Sequence, residues 1–551
     1  MKILTLFSGH EASACILEDG VVKNYYKEER YSRQKHTERT DRIVKRVLLN
    51  YNDLDYGLMS TNLSQEQDKI VRRVICSINP SMQMIRSNDS QHHIFHASLS
   101  FYNSGFDKAL CFVCDASGGI IQGHDEVYEG ESIYIAEYPY SFKPILKNYW
   151  SANDKVRAII KVKDGCTYNI HNVFGTYSGI GNLYNTAALV IGQTINDCGK
   201  AMGLSSYGSS NDMFANLYSN GVKDRLDKCF CDYPELIQVL NGRDDVAYHL
   251  DITKDNYKFF ADYCYEVQIQ SQDRVCKMVG DAIEKTGIKK VCVGGGFGMN
   301  IVTNYQLIKK FPDVEFYFEP LCDDGGNSIG AAMLIYRRLT KDSTVRPITT
   351  TSYHGEQHDV SKYVGETVDL KGIASLLYNN KSVAIFKGYA EAGQRALGNR
   401  SILFNALNPD ARDIVNRIQK REWYRPFAAI VLEEDAHLYF DDVIPNPYMT
   451  VCCPVRTDLI PGVTHIDNTC RIQTVSTGHL YDLLLEFKRL SGHGILLNTS
   501  FNLAGEPLVE TPEDALKTLS SSTLDHLWFY DTEQLLSVSY THLTLPTNRE
   551  V

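Results

Sequence analysis

Four apolar, strand-like runs in the first part of the chain each end directly in a glycine-containing turn. The runs are KILTLFSG, ALCFVCDASGG, KKVCVGGG and EFYFEPLCDDGG. Helix-like stretches follow the last two. Strands that alternate with helices build open α/β sheets, and such sheets bind ligands at the carboxyl ends of their strands. The pattern therefore predicts an α/β fold whose functional residues lie in the glycine turns.

The N-terminal segment predicts a meander of three short strands. KILTLFSG, ACILEDG and VVKNYYKEER are separated by turns at Gly9 and Gly20. This start resembles that of the actin-like ATPase fold, in which phosphates lie between early β-turns. We therefore expect the N-terminal part to be an actin-like (ASKHA) α/β domain.

The chain is too long for one hydrophobic core, so we expect at least two domains. A polar, Thr- and Ser-rich stretch predicts a linker over 346–368, after a first domain over 1–345. The runs KGIASLLYNN, SVAIFKG and GILLNTSFN indicate a second α/β domain over 369–535. The last residues, 536–551, continue no pattern and resemble a translated sequencing adaptor, so we expect no fold from them.

Composition limits the class of protein. The formal net charge of −11 argues against a nucleic-acid binder held by overall charge. The 15 cysteines show no disulfide spacing, and Cys111 and Cys114 lie in an apolar run that predicts a buried strand. Unpaired thiols suggest a reducing compartment. No apolar run is long enough to cross a membrane, so we expect a cytoplasmic protein of a bacterium or of a phage-infected host cell.

Three histidines stand close together in SNDSQHHIFHASLSFY. On a helix His92 and His96 share one face, and His93 and His96 form an i, i+3 pair. Two imidazoles are only half a coordination sphere, and such a pair is more often surface decoration. Asp115 and Asp324, each at a strand end, could complete a site for Fe(II), Mn(II) or Zn(II), although an aspartate there caps a turn about as often.

Ordered motifs along nearly the whole chain carry a resemblance. HHIFHAS, DASGG, GGGFGMNIVTN and DDGGNSIGAA, with GHEASACILEDGVV, EERYSRQKH and GKAMGLSSYG, resemble the ATPase-like domain of the O-carbamoyltransferases that modify antibiotics and nodulation factors. AEAGQRALGNRSIL, REWYRPFA, RIQTV and LLNTSFNLAGEPLVETPEDAL are similar to that family's C-terminal domain. The resemblance implies a YrdC-like α/β fold for the second domain.

The resemblance also implies a metal site and its ligands. His92, His96, Asp115 and Asp324 match the family's metal ligands. Asp324 is preferred to Asp323 because it directly precedes the glycine turn, and His93 is left out as a packing residue. The implied metal is Fe(II), with Mg(II) accompanying ATP, and it would contact the phosphate oxygens of a nucleotide.

The family reaction has two halves, which divide the remaining candidates. Carbamoyl phosphate and ATP give carbamoyl-adenylate in the second domain, and the first domain transfers the carbamoyl group to an acceptor hydroxyl. Cations suit phosphates, and neutral side chains after the strand GILL suit a carbamoyl amide or adenine. The expected cofactor-binding residues are Gly294, Gly295, Gly296, Asn300, Asn304, Lys200, Arg395, Arg400, Lys420, Arg421, Arg425, Arg471, Asn498, Thr499, Ser500 and Asn502. A solvated helix face is an alternative for Lys420 and Arg421.

Transfer to an alcohol needs a general base, and His10 in SGHEAS matches the family's histidine. The alternative for His10 is a turn histidine bonded to local backbone. Lys35 and His36 are expected to line the same pocket. Two positions depart from the family pattern: Gln394 replaces a proline, and Cys198 stands where a glutamate is common.

The acceptor is the least determined part. Seven Lys and Arg residues against two acids between Arg30 and Arg46 favour a polyanionic acceptor, and a solvated face is the alternative. The favoured hypothesis is 5-hydroxymethylcytosine in phage-type DNA, ahead of an antibiotic or sugar hydroxyl. A tRNA threonylcarbamoyl-transfer protein and a non-catalytic nucleotide-binding scaffold are alternatives of other classes. A homodimer remains open.

Overall fold

Three β-sheets form the framework of the protein. The computed structural model describes residues 1–61, 65–85, 91–121, 124–151, 160–163, 165–172, 179–218, 222–240, 246, 248–346 and 352–537. Within these residues, two sheets of five and eight strands are built from the N-terminal part, and one sheet of nine strands is built from the C-terminal part.

The first sheet contains the N-terminal meander. Its strands are β1 (Lys2–Ser8), β2 (Ser13–Glu18), β3 (Val21–Lys27), β4 (Tyr56–Thr61) and β5 (Gln83–Ile85). They lie in the order β3-β2-β1-β4-β5, with β1 antiparallel to β2 and parallel to β4. The three predicted opening strands are confirmed. The third is shorter than predicted, because Glu28–Ser32 already forms a helix.

The second sheet places three strand ends together. Its strands are β6 (Lys108–Cys114), β7 (Ile120–Ile121), β8 (His124–Glu137), β9 (Ser141–Ser151), β10 (Ile160–Lys163), β11 (Cys166–Asn172), β12 (Lys290–Gly294) and β13 (Glu315–Phe318). The order is β10-β11-β9-β8-β6-β12-β13, and β7 pairs with β8. Because β6, β12 and β13 run parallel, their carboxyl ends meet at one edge.

Helices cover both sheets and fill the space between them. They are α1 (Glu28–Ser32), α2 (Asp41–Asn50), α3 (Gln65–Ile78), α4 (His92–Ser104), α5 (Ile180–Val190), α6 (Cys198–Ser205), α7 (Val222–Cys229), α8 (Pro234–Leu240), α9 (Tyr257–Thr286), α10 (Ile301–Lys310) and α11 (Asn327–Thr340). α4 and α11 pack side by side between the two sheets, with α11 against β1 and β2 and α4 against β6 and β12. This sandwich is the architecture expected of an actin-like domain.

Strand β6 explains why its sequence is apolar without alternation. Leu110 and Phe112 pack into the core that α5, α6 and α9 share with the sheet. Cys111 and Val113 point the other way, toward α4 and α11. A strand buried on both faces needs a continuous apolar run. The C-x-x-C within it is therefore structural, as predicted, and both thiols are free.

The third sheet belongs to the C-terminal part. Its strands are β14 (Glu366–Thr367), β15 (Val383–Phe386), β16 (Arg400–Phe404), β17 (Ala428–Leu432), β18 (Cys452–Pro454), β19 (Thr469–Val475), β20 (Ile495–Ser500), β21 (His526–Phe529) and β22 (Gln534–Ser537). The order is β14-β22-β21-β15-β16-β20-β17-β19-β18. The helices α12 (Leu370–Tyr378), α13 (Ala411–Gln419), α14 (His479–Ser491) and α15 (Pro512–Ser520) cover it. The predicted α/β fold class, with two different units, is confirmed.

The predicted domain boundaries fall partly on described residues. Of the expected linker, residues 352–368 are described: Val360 packs in the core of the third sheet, and β14 pairs with β22. Residues 538–551 of the expected tail lie outside the described ranges. None of the helices in the described part of the chain combines the length and apolar character needed to span a membrane.

Three arginines of the basic run that suggested a polyanionic acceptor contact the protein itself. Arg30 is buried and donates to the carbonyl of Gly393 at 2.6 Å. Arg33 donates to the carbonyls of Pro507 and Leu508, and Arg46 pairs with Glu356. These arginines therefore join the N-terminal to the C-terminal part, while Lys35, Arg39, Arg42 and Lys45 are exposed.

Candidate metal centre and anion-binding cluster

Helix α4 brings the two histidines proposed as metal ligands to one point. His92 begins the helix and His96 lies one turn later, so both rings project from the same face. Both side chains are buried, and their Nε2 atoms lie 3.2 Å apart. The alternative of a surface pair is excluded by this burial.

Two strand ends supply the carboxylates. Asp115 follows β6, and Asp324 opens the turn between β13 and α11. Asp115 Oδ2 lies 3.1 Å from His96 Nε2 and 3.5 Å from His92 Nε2. Asp324 Oδ1 lies 3.4 Å and 3.3 Å from the same two nitrogens. One ligand atom from each of the four residues lies within 4.8 Å of all the others.

The spacing of these four atoms fits a cation. A metal about 2.1 Å from four tetrahedral ligands separates those ligands by about 3.4 Å. The five separations that involve a histidine Nε2, from 3.1 to 3.5 Å, match this value. Asp115 Oδ2 is buried and has no hydrogen-bond partner that meets normal geometry. The donor set, two imidazoles and two carboxylates, suits Fe(II), Mn(II) or Zn(II).

The electrostatics of the cluster favour the exchange of protons for a cation. Burial disfavours charge on all four groups, but their mutual attraction outweighs it. The pKa of His92 is therefore well above its usual value and that of His96 is raised. The pKa values of Asp115 and Asp324 lie below their usual range, because burial is overcome by His96 and His92 respectively. A cation replaces the imidazole protons when it binds.

His93 points away from this centre, in agreement with its omission from the predicted ligands. Its Nδ1 lies 2.6 Å from Ser132 Oγ, and burial lowers the pKa of the ring to about 3. Its backbone N–H donates to Oε2 of Glu129, as does that of Gly119 in the loop after Asp115. Glu129 is buried and paired with Lys147. It therefore ties the start of α4 to the Asp115 loop, a role that no sequence motif indicated.

The glycine turn after β12 positions Asp115. Gly296 N–H donates to Asp115 Oδ1 at 2.8 Å. Gly295 has φ +80°, and a Cβ there would lie 2.5 Å from the carbonyl oxygen of Cys114. Glycine is thus required by close packing against the end of β6. The glycines of this turn were expected to contact the nucleotide. In the structure, the close contact of Gly295 is with the end of β6.

Asn300 and Asn304, two of the expected cofactor-binding residues, form hydrogen bonds within the protein. Asn300 Oδ1 caps α10 by accepting from Thr303 N–H, and its Nδ2 donates to Tyr184 Oη. Asn304 Nδ2 donates to two backbone carbonyls, those of Gly298 and Thr450. Both side chains are buried. Their function visible here is to hold the turn and the C-terminal part in place.

His10 lies beside the metal candidates. Its Nδ1 is 3.7 Å from Asp324 Oδ2, and its side chain is 45 % exposed. Partial burial lowers the pKa of the ring, but Asp324, Glu11 and Asp115 outweigh that effect and raise it. An accessible imidazole next to the centre has the position expected of the proposed general base, and its contact with a carboxylate distinguishes it from a histidine bonded to backbone.

The other two catalytic candidates have different charged neighbours. His36 Nδ1 lies 3.4 Å from Oε1 of Glu11, the residue after His10. Lys35 is exposed, and partial burial together with the nearby charges of Arg425 and Lys200 lowers its pKa, against the attraction of Asp197 and Glu29.

Four arginines of the C-terminal part form a cluster with little compensating charge. We call Arg395, Arg421, Arg425 and Arg471 the arginine cluster. Burial lowers the pKa of Arg421 and Arg471 well below the usual value, and the neighbouring arginines lower both further. The four side chains are half-buried. Guanidinium groups that repel one another in such a position are costly unless an anion joins them, so the cluster is suited to an anionic ligand.

Partners of the arginine cluster are few among the described residues. Arg421 Nη1 donates to Gln419 Oε1 and Thr499 Oγ1, and Arg425 lies 3.5 Å from Glu422. The Nε of Arg471 is buried without a hydrogen-bond partner.

Arg400, which was also expected to bind phosphate, does not belong to the arginine cluster. It is fully buried, and its guanidinium donates to backbone carbonyls of Lys387, Asn399, Gly388 and Glu510. Burial lowers its pKa to about 10. The sequence could not distinguish it from Arg395, because both flank the same Leu-Gly pair.

The remaining cofactor candidates divide into two groups. Lys420 is exposed and ends α13, and Lys200 pairs with Glu422 at 2.8 Å, so neither points freely into a pocket. Asn498 and Asn502 donate their amide N–H groups to protein acceptors, but the Oδ1 of each is buried without a partner. Ser500 is half-buried at the end of β20. The two free amide oxygens are suited to accept from an amide or an adenine.

A single turn connects the metal centre with the arginine cluster. Arg395 Nη2 donates to the carbonyl of Met299 at 3.3 Å. Met299 ends the short 3-10 helix that begins at Gly296, whose N–H holds Asp115. The two predicted halves of the reaction therefore adjoin the same four-residue turn. Gln394, the departure from the family's proline, donates to Glu11 Oε1 at 2.7 Å and adds a second link between the parts.

Comparison with known sequences identifies the family. Residues 67–333 match the family model for the carbamoyltransferase N-terminus, and residues 374–533 match that for the carbamoyltransferase C-terminus. The chain belongs to the carbamoyltransferase family. It is therefore a transferase, as the motifs predicted.

The chain is also similar to individual proteins. The nodulation protein NolNO of Sinorhizobium fredii is 26% identical over 577 residues, which cover 94% of this chain and 78% of that protein. Nodulation protein U of Bradyrhizobium diazoefficiens is 34% identical over 254 residues, 44% of this chain and 43% of that protein. A solved structure of full-length HypF in the phosphate- and nucleotide-bound form aligns with a TM-score of 0.38 at 14% identity, covering 62% of this chain and 46% of that one.

Proposed function

We propose that this carbamoyltransferase carries out O-carbamoylation in two steps and that the two site regions divide the steps between them. At the arginine cluster, water hydrolyses carbamoyl phosphate to carbamate and phosphate, and a carbamate oxygen then attacks the α-phosphate of ATP to give carbamoyl-adenylate and pyrophosphate. The carbamoyl group then passes to an acceptor hydroxyl beside the metal centre. The observation that carries the proposal is the shared turn, Gly296–Met299, which touches both regions.

The arginine cluster supplies what the first step needs. Two phosphorylated substrates bring several negative charges together, and their mutual repulsion must be screened. Guanidinium groups do this with fixed, bidentate geometry. The free Oδ1 atoms of Asn498 and Asn502 are acceptors for the carbamoyl amide or the adenine amino group. Arg400 is not needed to screen the phosphates, because its guanidinium binds backbone carbonyls of the protein.

His10 is the proposed base of the second step. The acceptor oxygen attacks the carbamoyl carbon, the hydroxyl proton passes to His10, and the bond from that carbon to the adenylate oxygen breaks, so that AMP leaves. Because Nδ1 faces Asp324, Nε2 is the nitrogen that takes the proton. A divalent cation held by His92, His96, Asp115 and Asp324 would supply Lewis acidity to phosphate oxygens. Fe(II) at this centre and Mg(II) with ATP remain predictions.

For the acceptor we propose a small-molecule or sugar hydroxyl. Two observations favour it over hydroxymethylated DNA. The relatives described above include nodulation proteins, and Arg30, Arg33 and Arg46 of the basic run contact the protein itself. The formal net charge of −11 also opposes a polyanionic acceptor.

The two steps can be tested separately. The first step is followed as pyrophosphate release and AMP formation from ATP with carbamoyl phosphate and no acceptor. The second is followed by mass spectrometry as the gain of one carbamoyl group on a chitin oligosaccharide or, in parallel, on DNA containing 5-hydroxymethylcytosine. Product on the sugar alone supports the proposed acceptor. Product on the DNA alone contradicts it, and an absence of carbamoyl-adenylate contradicts the two-step scheme.

Variants assign the steps to the two regions. Replacement of His10 by Gln should lower transfer by about 10²- to 10⁴-fold, since that is what a general base contributes, and should leave carbamoyl-adenylate formation intact. Arg421→Leu should lower carbamoyl-adenylate formation, and transfer should fall with it, because carbamoyl-adenylate is the substrate of the second step. Arg489→Leu is the matched control, because Arg489 lies exposed on α14 and pairs only with Glu486 among the described residues. Equal loss of both steps in His10→Gln would contradict its role.

A further inference from the structure

Asn327 is buried at the metal centre without belonging to its four predicted ligands. It is the first residue of α11 and follows Asp324 by three positions. Its side chain is 1 % exposed. One end of its carboxamide lies 3.1 Å from His96 Nε2 and 3.3 Å from His92 Nε2. These separations equal those between the four ligand atoms themselves.

The hydrogen bonding of this carboxamide is incomplete. Its Nδ2 faces the two ring nitrogens, while its Oδ1 is buried without a hydrogen-bond partner among the residues that the structure describes. A buried acceptor left unpaired costs about 1–3 kcal/mol, so an arrangement that uses it is favoured. When both Nε2 atoms give their lone pairs to a cation, Nδ2 loses its acceptors and faces a positive charge.

A half-turn of the amide about its last side-chain bond solves both problems. It places Oδ1 where Nδ2 now lies, at ligand distance from both histidines, and removes the N–H groups from the cation. Amide oxygen is a hard ligand of the kind used by Mn(II) and Fe(II). The rotation needs no backbone movement, because it exchanges two atoms of similar size.

We infer that Asn327 is a fifth ligand, which binds the cation through its amide oxygen. The inference rests on the proposed metal centre and extends it from four ligands to five, three of them oxygen. Zn(II) prefers four ligands in a tetrahedron, whereas Mn(II) and Fe(II) accept more and favour oxygen. Asn327 therefore shifts the selectivity of the centre away from Zn(II) and toward Mn(II) or Fe(II).

The test is the affinity of the metal-free, full-length protein for Mn(II) and for Zn(II), measured by calorimetry without ATP, carbamoyl phosphate or acceptor. Asn327→Leu keeps the size of the side chain and removes the oxygen. It should weaken Mn(II) binding by about tenfold or more and Zn(II) binding by clearly less. Asn327→Asp restores an oxygen and should bind Mn(II) at least as tightly as the wild type.

Two controls separate the inference from its foundation. Asn79→Leu removes another buried asparagine, which bonds the backbone of Leu54 far from the centre, and should change neither affinity. His96→Leu should abolish binding of both metals, and retained binding would overturn the centre and the inference together. If Asn327→Leu binds both metals as tightly as the wild type, or binds both more weakly to the same extent, the fifth ligand is overturned and the four-ligand centre is retained. If that variant does not fold, weaker Mn(II) binding by Asn327→Asp overturns it.

Discussion

The ammonium of Lys27 lies 2.8 Å from Oδ2 of Asp323, the residue directly before the proposed ligand Asp324. The pair is buried, and Glu11 and Glu29 approach the same ammonium at 3.6 and 3.7 Å. Burial lowers the pKa of Lys27, but the three carboxylates outweigh that effect and hold it well above its usual value. Lys27 therefore anchors the turn that presents Asp324 to the metal centre.

Replacement of Lys27 by Met should destabilise the protein strongly. Three buried carboxylates lose their counter-charge, and removal of one partner from a buried ion pair costs about 3–5 kcal/mol. Thermal unfolding followed by circular dichroism measures the effect. Lys23→Met is the control. Lys23 is about half exposed and its ammonium lies as far as 4.0 Å from Glu18, so the loss of this weak pair should cost less than about 0.5 kcal/mol. Similar melting of the two variants would show that the Lys27 pair has no anchoring role.

The two neighbouring aspartates should behave differently toward metal. Asp324→Asn removes a charged ligand and should weaken Mn(II) binding by about tenfold or more. Asp323→Asn leaves all four proposed ligands and should retain affinity within about threefold, since Asp323 bonds Lys27 instead. Calorimetric titration of the metal-free protein distinguishes them. Loss of binding in the Asp323 variant alone would reassign the ligand.

Arg471 should lower the stability of the ligand-free protein and strengthen its binding of anions. Its half-buried guanidinium is repelled by Arg395 and Arg421, so Arg471→Met should stabilise the ligand-free protein by about 0.5–2 kcal/mol. The same change should remove most of the stabilisation that inorganic phosphate gives to the wild type. Melting curves with and without phosphate measure both effects. Arg489→Met, on the exposed face of α14, should alter neither, and destabilisation of ligand-free Arg471→Met would contradict the prediction.

Glu28 should make stability depend on pH. Burial raises its pKa from 4.5 to about 7, against hydrogen bonds from the N–H groups of Ile43 and Arg42 at the start of α2. Because the folded pKa exceeds the unfolded one, this contribution is complete below pH 4.5 and is lost as the pH rises through about 7. With allowance for solvent screening, the loss is about 1–2 kcal/mol.

Glu28→Gln should remove this pH dependence. The amide oxygen can still accept from the α2 backbone, and no proton is exchanged on unfolding. Urea midpoints measured across the window from pH 4.5 to about 7 should fall for the wild type relative to the variant. A constant difference between the two proteins across that window would assign Glu28 an ordinary pKa.

The sequence determined the parts of the site that lie in continuous motifs. Apolar strands that end in glycine turns fixed the α/β class, because a strand buried on both faces requires an unbroken apolar run. The i, i+4 spacing of His92 and His96 placed both rings on one face of α4. Asp115 and Asp324 were predicted from their match to the family's motifs, since an aspartate at a strand end caps a turn about as often as it binds a metal.

The tertiary structure alone decided which side chains remain free for ligands. Arg395 and Arg400 look alike in sequence, yet only Arg400 is surrounded by backbone carbonyls. Asn300 and Asn304 satisfy their amides within the protein, while Asn327, in no predicted role, reaches the metal centre. The physical reason is that hydrogen-bond partners and counter-charges come from residues distant in the chain, and their positions exist only once the sheets and helices have packed.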